Sequence, residues 1–428
     1  MYLKLIKNVN VGPIENATVI FPFHESGLPK PLVIVGENGT GKSALISNVV
    51  DALYEIAGEA YYDVRQKNDT EGYQYFKAIS PTEIHIGRQY MYSYIEFIDS
   101  GEQPKIEYIF KSGKLTHENF VAETNISLPN ITWEEKENYK KASITKKAAE
   151  AILSRDVVCY FGPERFEKPC WMGDRYYRIA DFEHPRIRQK FAEKLEKPIF
   201  MKDMTTATLQ WLLDVIVDSR CDIARNGEGL TTAHVQVDDL LRLGTARENI
   251  ETIMSGILGL QVYFGLNFRN SNQSRFNIRA KENDAVVVPT LDSLSTGQSA
   301  LFNMFATIVR YSDMDNITNS INLSEITGVV VIDEIELHLH TTLQREVLPK
   351  LIKLFPKVQF VITTHSPLFL LGMDAEFGDG YEIYQMPSAT RITAERFSEF
   401  QRAYSYLSQT QKHEERIMSE IQGNLQCY

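Results

Sequence analysis

Leu-Val-Ile-Val-Gly-Glu-Asn-Gly-Thr-Gly-Lys-Ser-Ala-Leu-Ile, running from Leu32 to Ile46, is the stretch on which the fold turns. Leu32 to Val35 are apolar and read as a short buried strand. Ala44, Leu45 and Ile46 open a helix that continues at helical spacing through Val49, Leu53 and Ile56 and ends near Gly58. Between them stand Gly36, Glu37, Asn38, Gly39, Thr40, Gly41, Lys42 and Ser43. They form a complete G-x-x-x-x-G-K-S loop, with the strand before it and the helix after it that the motif requires. Glycines let main-chain N–H groups wrap phosphates, because no Cβ blocks the turn. The helix N-terminus adds the positive end of its dipole. Lys42 supplies a point charge for β- and γ-phosphates, and the Ser43 hydroxyl is placed to ligate Mg²⁺. A chance Lys-Ser after a Gly-rich turn would not bring all eight positions and both flanks.

Outside this loop the composition is ordinary. The chain has 428 residues, 43% hydrophobic and 24% charged, enough for two or three domains' worth of core. No apolar run reaches the ~18–20 residues of a membrane span, and the N-terminus enters a strand without a signal-peptide layout. The four cysteines, Cys159, Cys170, Cys221 and Cys427, form no C-x-x-C pair. That points to a reducing, cytoplasmic setting rather than a zinc site or a disulfide framework. A net charge of −11 argues against a surface that grips nucleic acid throughout, though one basic patch stays open.

In chain order, residues 1 to 30 read as two strands with a turn at Gly12-Pro13. Glu83 to Ile86, Tyr90 to Ile98 and Ile106 to Phe110 read as an antiparallel sheet. Trp133 to Ser154 carries Lys136, Lys140, Lys141, Lys146 and Lys147 among glutamates. This reads as a solvated helix with i,i+4 pairs or as an edge facing nucleic acid. Asp156 to Phe161 is a second buried-looking strand. Residues 182 to 258 read mostly as helix, with apolar faces on Leu209, Leu212, Leu213, Ile216 and Val217, and on Leu240, Leu241, Leu243, Ile250, Ile253 and Met254. Leu260 to Val288 returns to strand.

A second chemical block follows. Leu294-Ser-Thr-Gly-Gln-Ser299 precedes an apolar helix, and alone it is only an anion-binding cap. Gly328-Val-Val-Val-Ile-Asp333-Glu334 is a β-branched run of the kind found in central parallel strands, with two acids at the end where α/β sheets place ligands. Asp333 can hold Mg²⁺ through water, and Glu334 can orient and deprotonate an attacking water. Val358 to Thr364 is another buried strand, and it delivers His365. An imidazole there can hydrogen-bond a γ-phosphate or hold the water in line; the alternative is a satisfied core histidine.

The order phosphate loop, LSTGQ, strand with Asp-Glu, strand with His resembles the ABC-type ATPases of the SMC and RecF group, and most closely the branch of OLD-like ATPases. The motifs carrying the resemblance lie in about 1–60 and 290–372. It implies an α/β fold: an ABC-type ATPase head with a P-loop parallel-sheet core, an antiparallel β subdomain and an inserted helical lobe. The expected division is 1–130 for an N-terminal ATPase lobe, 131–260 for the helical insertion, 261–372 for a C-terminal ATPase lobe and 373–428 for a strand and helical tail. The resemblance also implies ATP and Mg²⁺ as cofactors. Ser43 and Asp333 would hold the metal. Ser295, Thr296, Gly297 and Gln298 would act in trans, over Lys42 of a second subunit in a head-to-tail dimer.

Two departures from the family pattern stand out. The glutamine loop of typical ABC ATPases is unclear, with Gln89 a weak candidate. Where the sheet should pass to the helical lobe stands Pro163 to Arg165, and a strand followed by P-x-R is similar to what OLD-like ATPases show. Arg165 is a candidate sensor of nucleotide or neighbouring subunit, or a structural ion pair. Glu336-Leu-His338-Leu-His340 is similar to the family's E-x-HLHP segment with Thr341 in place of proline, and reads as an interface loop or as a His-x-His metal pair. Too few residues follow Pro367 in this sequence for a Toprim nuclease domain, so the expected effector is a separate nuclease, such as an HNH protein. This is similar to the ATPase subunits of Septu-type and related retron anti-phage systems. The competing expectation is a RecF-like DNA-clamping ATPase, with the lysines of 136 to 147 and Arg186, Arg188, Lys190 and Lys194 lining a groove.

Overall fold

The computed structural model describes residues 1–64, 83–99, 105–165, 194–201, 204–218, 223–226, 229–232, 237–266, 276–313 and 320–397. Its elements in chain order begin with the hairpin β1 (Tyr2–Val11) and β2 (Ile14–Ile20), then β3 (Leu32–Val35) and α1 (Lys42–Ala60). Next come β4 (Tyr90–Ile98), β5 (Lys105–Gly113), α2 (His117–Thr124), β6 (Asn138–Ala142), α3 (Lys146–Arg155) and β7 (Val157–Phe161). They are followed by α4 (Met204–Asp218), β8 (Ile223–Asn226), β9 (Gly229–Thr232), α5 (Val237–Leu258), β10 (Val262–Leu266), β11 (Phe276–Ala280) and β12 (Val286–Val288). The last part holds α6 (Thr296–Asp313), β13 (Gly328–Ile332), α7 (Leu348–Lys353), β14 (Val358–Thr363), α8 (Pro367–Phe377), β15 (Glu382–Gln385) and β16 (Thr390–Ile392).

The apolar strands of the sequence assemble into one sheet in the order β16-β15-β3-β14-β13-β7, parallel except for β16. Every residue of β3, β7, β13 and β14 is buried, which explains why these strands lack polar alternation. Their side chains divide between two cores. Val33, Val35, Val330, Ile332, Phe360 and Ile362 face a core shared with α4, α5 and α6. Leu32, Ile34, Val329, Val331 and Val361 face α1 and the second sheet. That second sheet runs β2-β1-β4-β5-β6, wholly antiparallel, so α1 lies sandwiched between two sheets. A third sheet, β10-β11-β12, packs with α5 and α6.

The α/β class, the parallel phosphate-loop core and the antiparallel sheet expected from the sequence are all present. Several finer expectations are corrected. Residues 83 to 86 give a single bridge, Ile84 to Val11, not a strand. Within Trp133 to Ser154, Asn138–Ala142 is the edge strand β6 and only Lys146–Arg155 is helix. Tertiary contacts override the helix-like charge spacing: Lys140 and Lys141 reach across to Glu55 and Glu59 of α1 at 2.9 and 2.6 Å. The stretch 131–260 is therefore not uniformly a helical insertion, since β6 and β7 within it are strands of the two main sheets. Within the expected helical tail, residues Ala394–Arg396 form a 3₁₀ turn. Residues 398–428 lie outside the described residues, as do Arg186, Arg188, Lys190 and the side chains of Val217, Leu240, Leu241 and Leu243.

Candidate functional site

Parallel strands deliver all their C-terminal ends to one edge, and the candidate residues collect there. The phosphate loop leaves β3 at that edge. Gly41 stands at the N-cap of α1 with φ +93°, a left-handed conformation that favours glycine, and a Cβ there would meet Ile14 Cγ1 at 2.6 Å. The β1–β2 turn thus packs directly behind the loop, a contact that no local sequence pattern announces. α1 has no side-chain cap and no acid in its first turn. By contrast, Thr116, Thr145 and Ser366 cap α2, α3 and α8. A helix start with neither a side-chain cap nor an acid is the kind that receives an anion. Lys42 is buried and folds back over the loop, donating to the carbonyls of Gly36 at 2.9 Å and Glu37 at 3.1 Å. Thr40 Oγ1 donates to the Glu37 carbonyl at 2.8 Å, fixing the loop's tip. Ser43, Glu37, Asn38 and Gly39 are exposed, and Ala44 is half-buried.

Asp333 and Glu334 follow β13 directly. The Asp333 N–H donates to the Phe161 carbonyl at 2.9 Å, extending the ladder with β7 by one residue. The Asp333 carboxylate is buried and accepts from Thr363 Oγ1 at 2.5 Å, and the same hydroxyl accepts from the Glu334 N–H at 2.8 Å. Glu334 has φ +48°, a conformation that costs a non-glycine residue about 1–3 kcal/mol and gathers at functional sites. Arg165 helps hold it there. Its guanidinium donates to the main-chain carbonyls of Asp333 at 2.6 Å, Glu334 at 2.7 Å and Gly162 at 3.1 Å. Burial pulls its pKa down, opposed by the carboxylates of Glu336, Asp333 and Glu334. Arg165 therefore clasps the acid-bearing loop through its backbone carbonyls rather than through a side-chain ion pair.

His365 follows β14, half-buried, beside these groups. Its main-chain N–H donates to Glu336 Oε1 at 2.6 Å, and Thr364 Oγ1 donates to Glu336 Oε2 at 2.7 Å. Ser366 Oγ donates to Gln344 Oε1 at 2.5 Å, and Gln344 Nε2 donates to the Leu339 carbonyl at 2.8 Å. His338 is exposed with φ +64°. Among the described residues no group of three or more His, Cys, Asp or Glu is arranged to hold a metal, so the His-x-His metal alternative finds no further ligand.

The LSTGQ block forms a reciprocal N-cap. The Gln298 N–H donates to Ser295 Oγ at 3.3 Å, and the Ser295 N–H donates to Gln298 Oε1 at 3.0 Å. Accepting from Gln298 uses a lone pair of the Ser295 hydroxyl and leaves its proton free to meet an anion. Ser295 and Thr296 are exposed. Gly297 is buried, and a Cβ there would stand 3.0 Å from the His338 carbonyl. α6 packs beside β7, three strands from β3 in the sheet. At ~4.8 Å per strand that is about 14 Å across the sheet.

Domain-family models match the chain twice: "AAA domain" over residues 6–197, and "AAA domain, putative AbiEii toxin, Type IV TA system" over 232–371. The Retron Ec83 probable ATPase of Escherichia coli is 23% identical over 377 residues, covering 80% of this chain and 65% of that protein. The Septu protein PtuA of Bacillus mycoides (strain KBAB4) is 50% identical over 46 residues, 11% of this chain and 6% of that one. The chain is a homologue of retron ATPases and of a Septu protein. It spans under two thirds of the length of these relatives. The SMC head domain from Thermotoga maritima overlays with a TM-score of 0.42 at 13% identity, covering 91% of this chain and 97% of that one.

The relatives agree with the resemblance carried by the motifs. Of the candidates read from the sequence, the phosphate loop, Asp333, Glu334, His365 and Arg165 gather at the strand-end edge. Gln89 is exposed at the entrance of β4, its carbonyl bound by the Lys114 N–H at 3.0 Å. Thr363, Thr364 and Gln344 were missed, and Glu336 was read only as part of an interface loop. Their partners lie about thirty residues away or across a strand, and only the parallel register brings them together. The lysines offered for a nucleic-acid groove are largely paired: Lys136 with Glu134, Lys140 with Glu55, Lys141 with Glu59 and Lys146 with Glu150.

Proposed function

We propose that the chain binds and hydrolyses ATP as the sensor or regulatory subunit of an anti-phage defence complex. It would control a partner nuclease, of HNH type, through an ATP-dependent head-to-tail dimer. The observation that carries this reading is the uncapped N-terminus of α1 with Lys42 folded over it, on the same sheet edge as Asp333, Glu334 and His365. The relationship to retron ATPases supports the defence setting.

In the proposed cycle Lys42 gives up the carbonyls of Gly36 and Glu37 for the β- and γ-phosphates. Charge-assisted bonds to phosphate are the stronger ones, so the exchange is favourable. The N–H groups of Gly39 to Ser43 wrap the same oxygens. The donor pair Ser43 and Asp333, a hydroxyl and a carboxylate, suits a hard cation that keeps waters in its shell. These residues would hold Mg²⁺, whose charge offsets that on the phosphates. Glu334 takes a proton from the water whose oxygen attacks the γ-phosphorus, and the bond to the departing ADP breaks. His365 donates to a γ-phosphate oxygen or steadies the water. Ser295 and the start of α6 from a second subunit close over the γ-phosphate as a second anion cradle. Packing of α6 beside β7, three strands from the β3 that carries the phosphate loop, supports this arrangement.

Purification tests the reading in one experiment. Expressed with its native genetic neighbours, the wild type should turn over ATP and carry down a nuclease chain. Lys42→Ala should bind ATP about 10–100-fold more weakly, the loss of a charge-assisted bond worth about 1.5–3 kcal/mol. Undiminished ATP binding by Lys42→Ala removes the nucleotide assignment. A chain that turns over ATP but never brings down a nuclease removes the proposed partner.

A further inference from the structure

We propose that Glu336 is a positioning residue for His365, seating the histidine's main chain at the phosphate edge and tying it to the turn that packs against the start of the signature helix. The proposal rests on the ATPase reading above and adds a residue to that site.

The Glu336 carboxylate spends both oxygens on the end of β14. Oε1 accepts from the His365 N–H at 2.6 Å, and Oε2 from the Thr364 hydroxyl at 2.7 Å. Thr364 Oγ1 accepts in turn from the Ser366 N–H at 3.0 Å, so one carboxylate organises three consecutive residues. Hydrogen bonds to a charged acceptor are the strong class. A carboxylate engaged in this way is a brace, not a base. Glu334, two residues earlier, keeps that role.

The brace reaches further. Glu336 begins the turn closed by the Leu339 N–H donating to the Glu336 carbonyl at 3.0 Å. Within that turn stands His338, in left-handed conformation, whose carbonyl would lie 3.0 Å from a Cβ on Gly297. A second tie, Ser366 to Gln344 to the Leu339 carbonyl, runs parallel to the first. The main chain of His365 and the N-terminus of α6 are thus registered to one short turn. A histidine meeting phosphate in its own subunit is thereby linked to a cradle that serves the neighbour.

Glu336→Gln keeps the shape but offers the Thr364–His365 pair only one acceptor atom. Its kcat should fall about 10–100-fold, with ATP affinity within twofold of wild type, because a misplaced group of this kind costs turnover rather than ground-state binding. Combined with His365→Ala, it should be no slower than His365→Ala alone within twofold, since both act through one imidazole. Thr364→Val, which removes the other partner, should shift kcat in the same direction by less and guards against a folding defect in the first variant. A readout free of turnover is the NMR signal of the His365 imidazole, which should move on ATP binding in the wild type and stay put in ATP-bound Glu336→Gln. Multiplicative losses in the double variant overturn the proposal, as does an ATP-induced His365 shift retained in Glu336→Gln. A wild-type His365 signal indifferent to ATP overturns it too. A wild type that binds ATP without turnover defeats the hydrolysis reading alone, and the NMR comparison still decides the role of Glu336.

Discussion

Glu334→Gln should purify with ATP bound and turn over about 10²–10⁴-fold more slowly than wild type, the span of a lost general base. The amide has the size of the carboxylate, so the left-handed turn at φ +48° keeps its two supports. Thr363 Oγ1 still accepts the residue's N–H, and Arg165 still binds its carbonyl, because both bonds are to the main chain. Lys42, Ser43 and Asp333 are untouched, so nucleotide binding survives while the proton acceptor is gone. Steady-state hydrolysis measured beside the nucleotide content of the purified protein checks this. Normal turnover in Glu334→Gln removes the catalytic role.

Gly328→Ala should destabilise the fold by about 3–5 kcal/mol, the sum of a strained left-handed residue and overpacking at a fixed backbone. Gly328 opens β13 with φ +144°, and a Cβ there would stand 1.9 Å from the Val157 carbonyl and 2.6 Å from its nitrogen. The obstacle is backbone, not a flexible side chain, so β13 and β7 would have to part. They are neighbours in register from Gly328–Val157 to Ile332–Phe161, and the far end of the same pair holds Asp333 and Arg165. Denaturant midpoints of the two proteins measure the loss, and an unchanged midpoint would mean that Gly328 does not adopt this conformation.

The parallel core was legible because buried strands write themselves as unbroken apolar runs. Leu32 to Val35, Val157 to Phe161, Gly328 to Ile332 and Val358 to Thr363 all do so, and each motif follows its strand by one or two residues. The phosphate loop was legible because glycine positions and a lysine at fixed spacing leave few alternatives. Edge structure was not. The strand Asn138–Ala142 carries lysines whose charges meet Glu55 and Glu59 of α1, so its sequence resembles a solvated helix. The braces of the site were also hidden. Thr363, Thr364 and Glu336 are unremarkable residues until β13 and β14 lie side by side, and Arg165 acts through carbonyls that no sequence spells. What fixes the conformation of Glu334 is therefore tertiary, although Glu334 itself could be found by reading.

Two chains sharing each nucleotide is a prediction about mass, and light scattering of Glu334→Gln decides it. Without ATP the chain should show its own mass of 49.0 kDa. With ATP and Mg²⁺ the mass should double, and Ser295→Arg in the same background should hold it at the single value while ATP still binds. A single-chain mass at saturating ATP, or a doubling that Ser295→Arg leaves intact, would contradict the shared site.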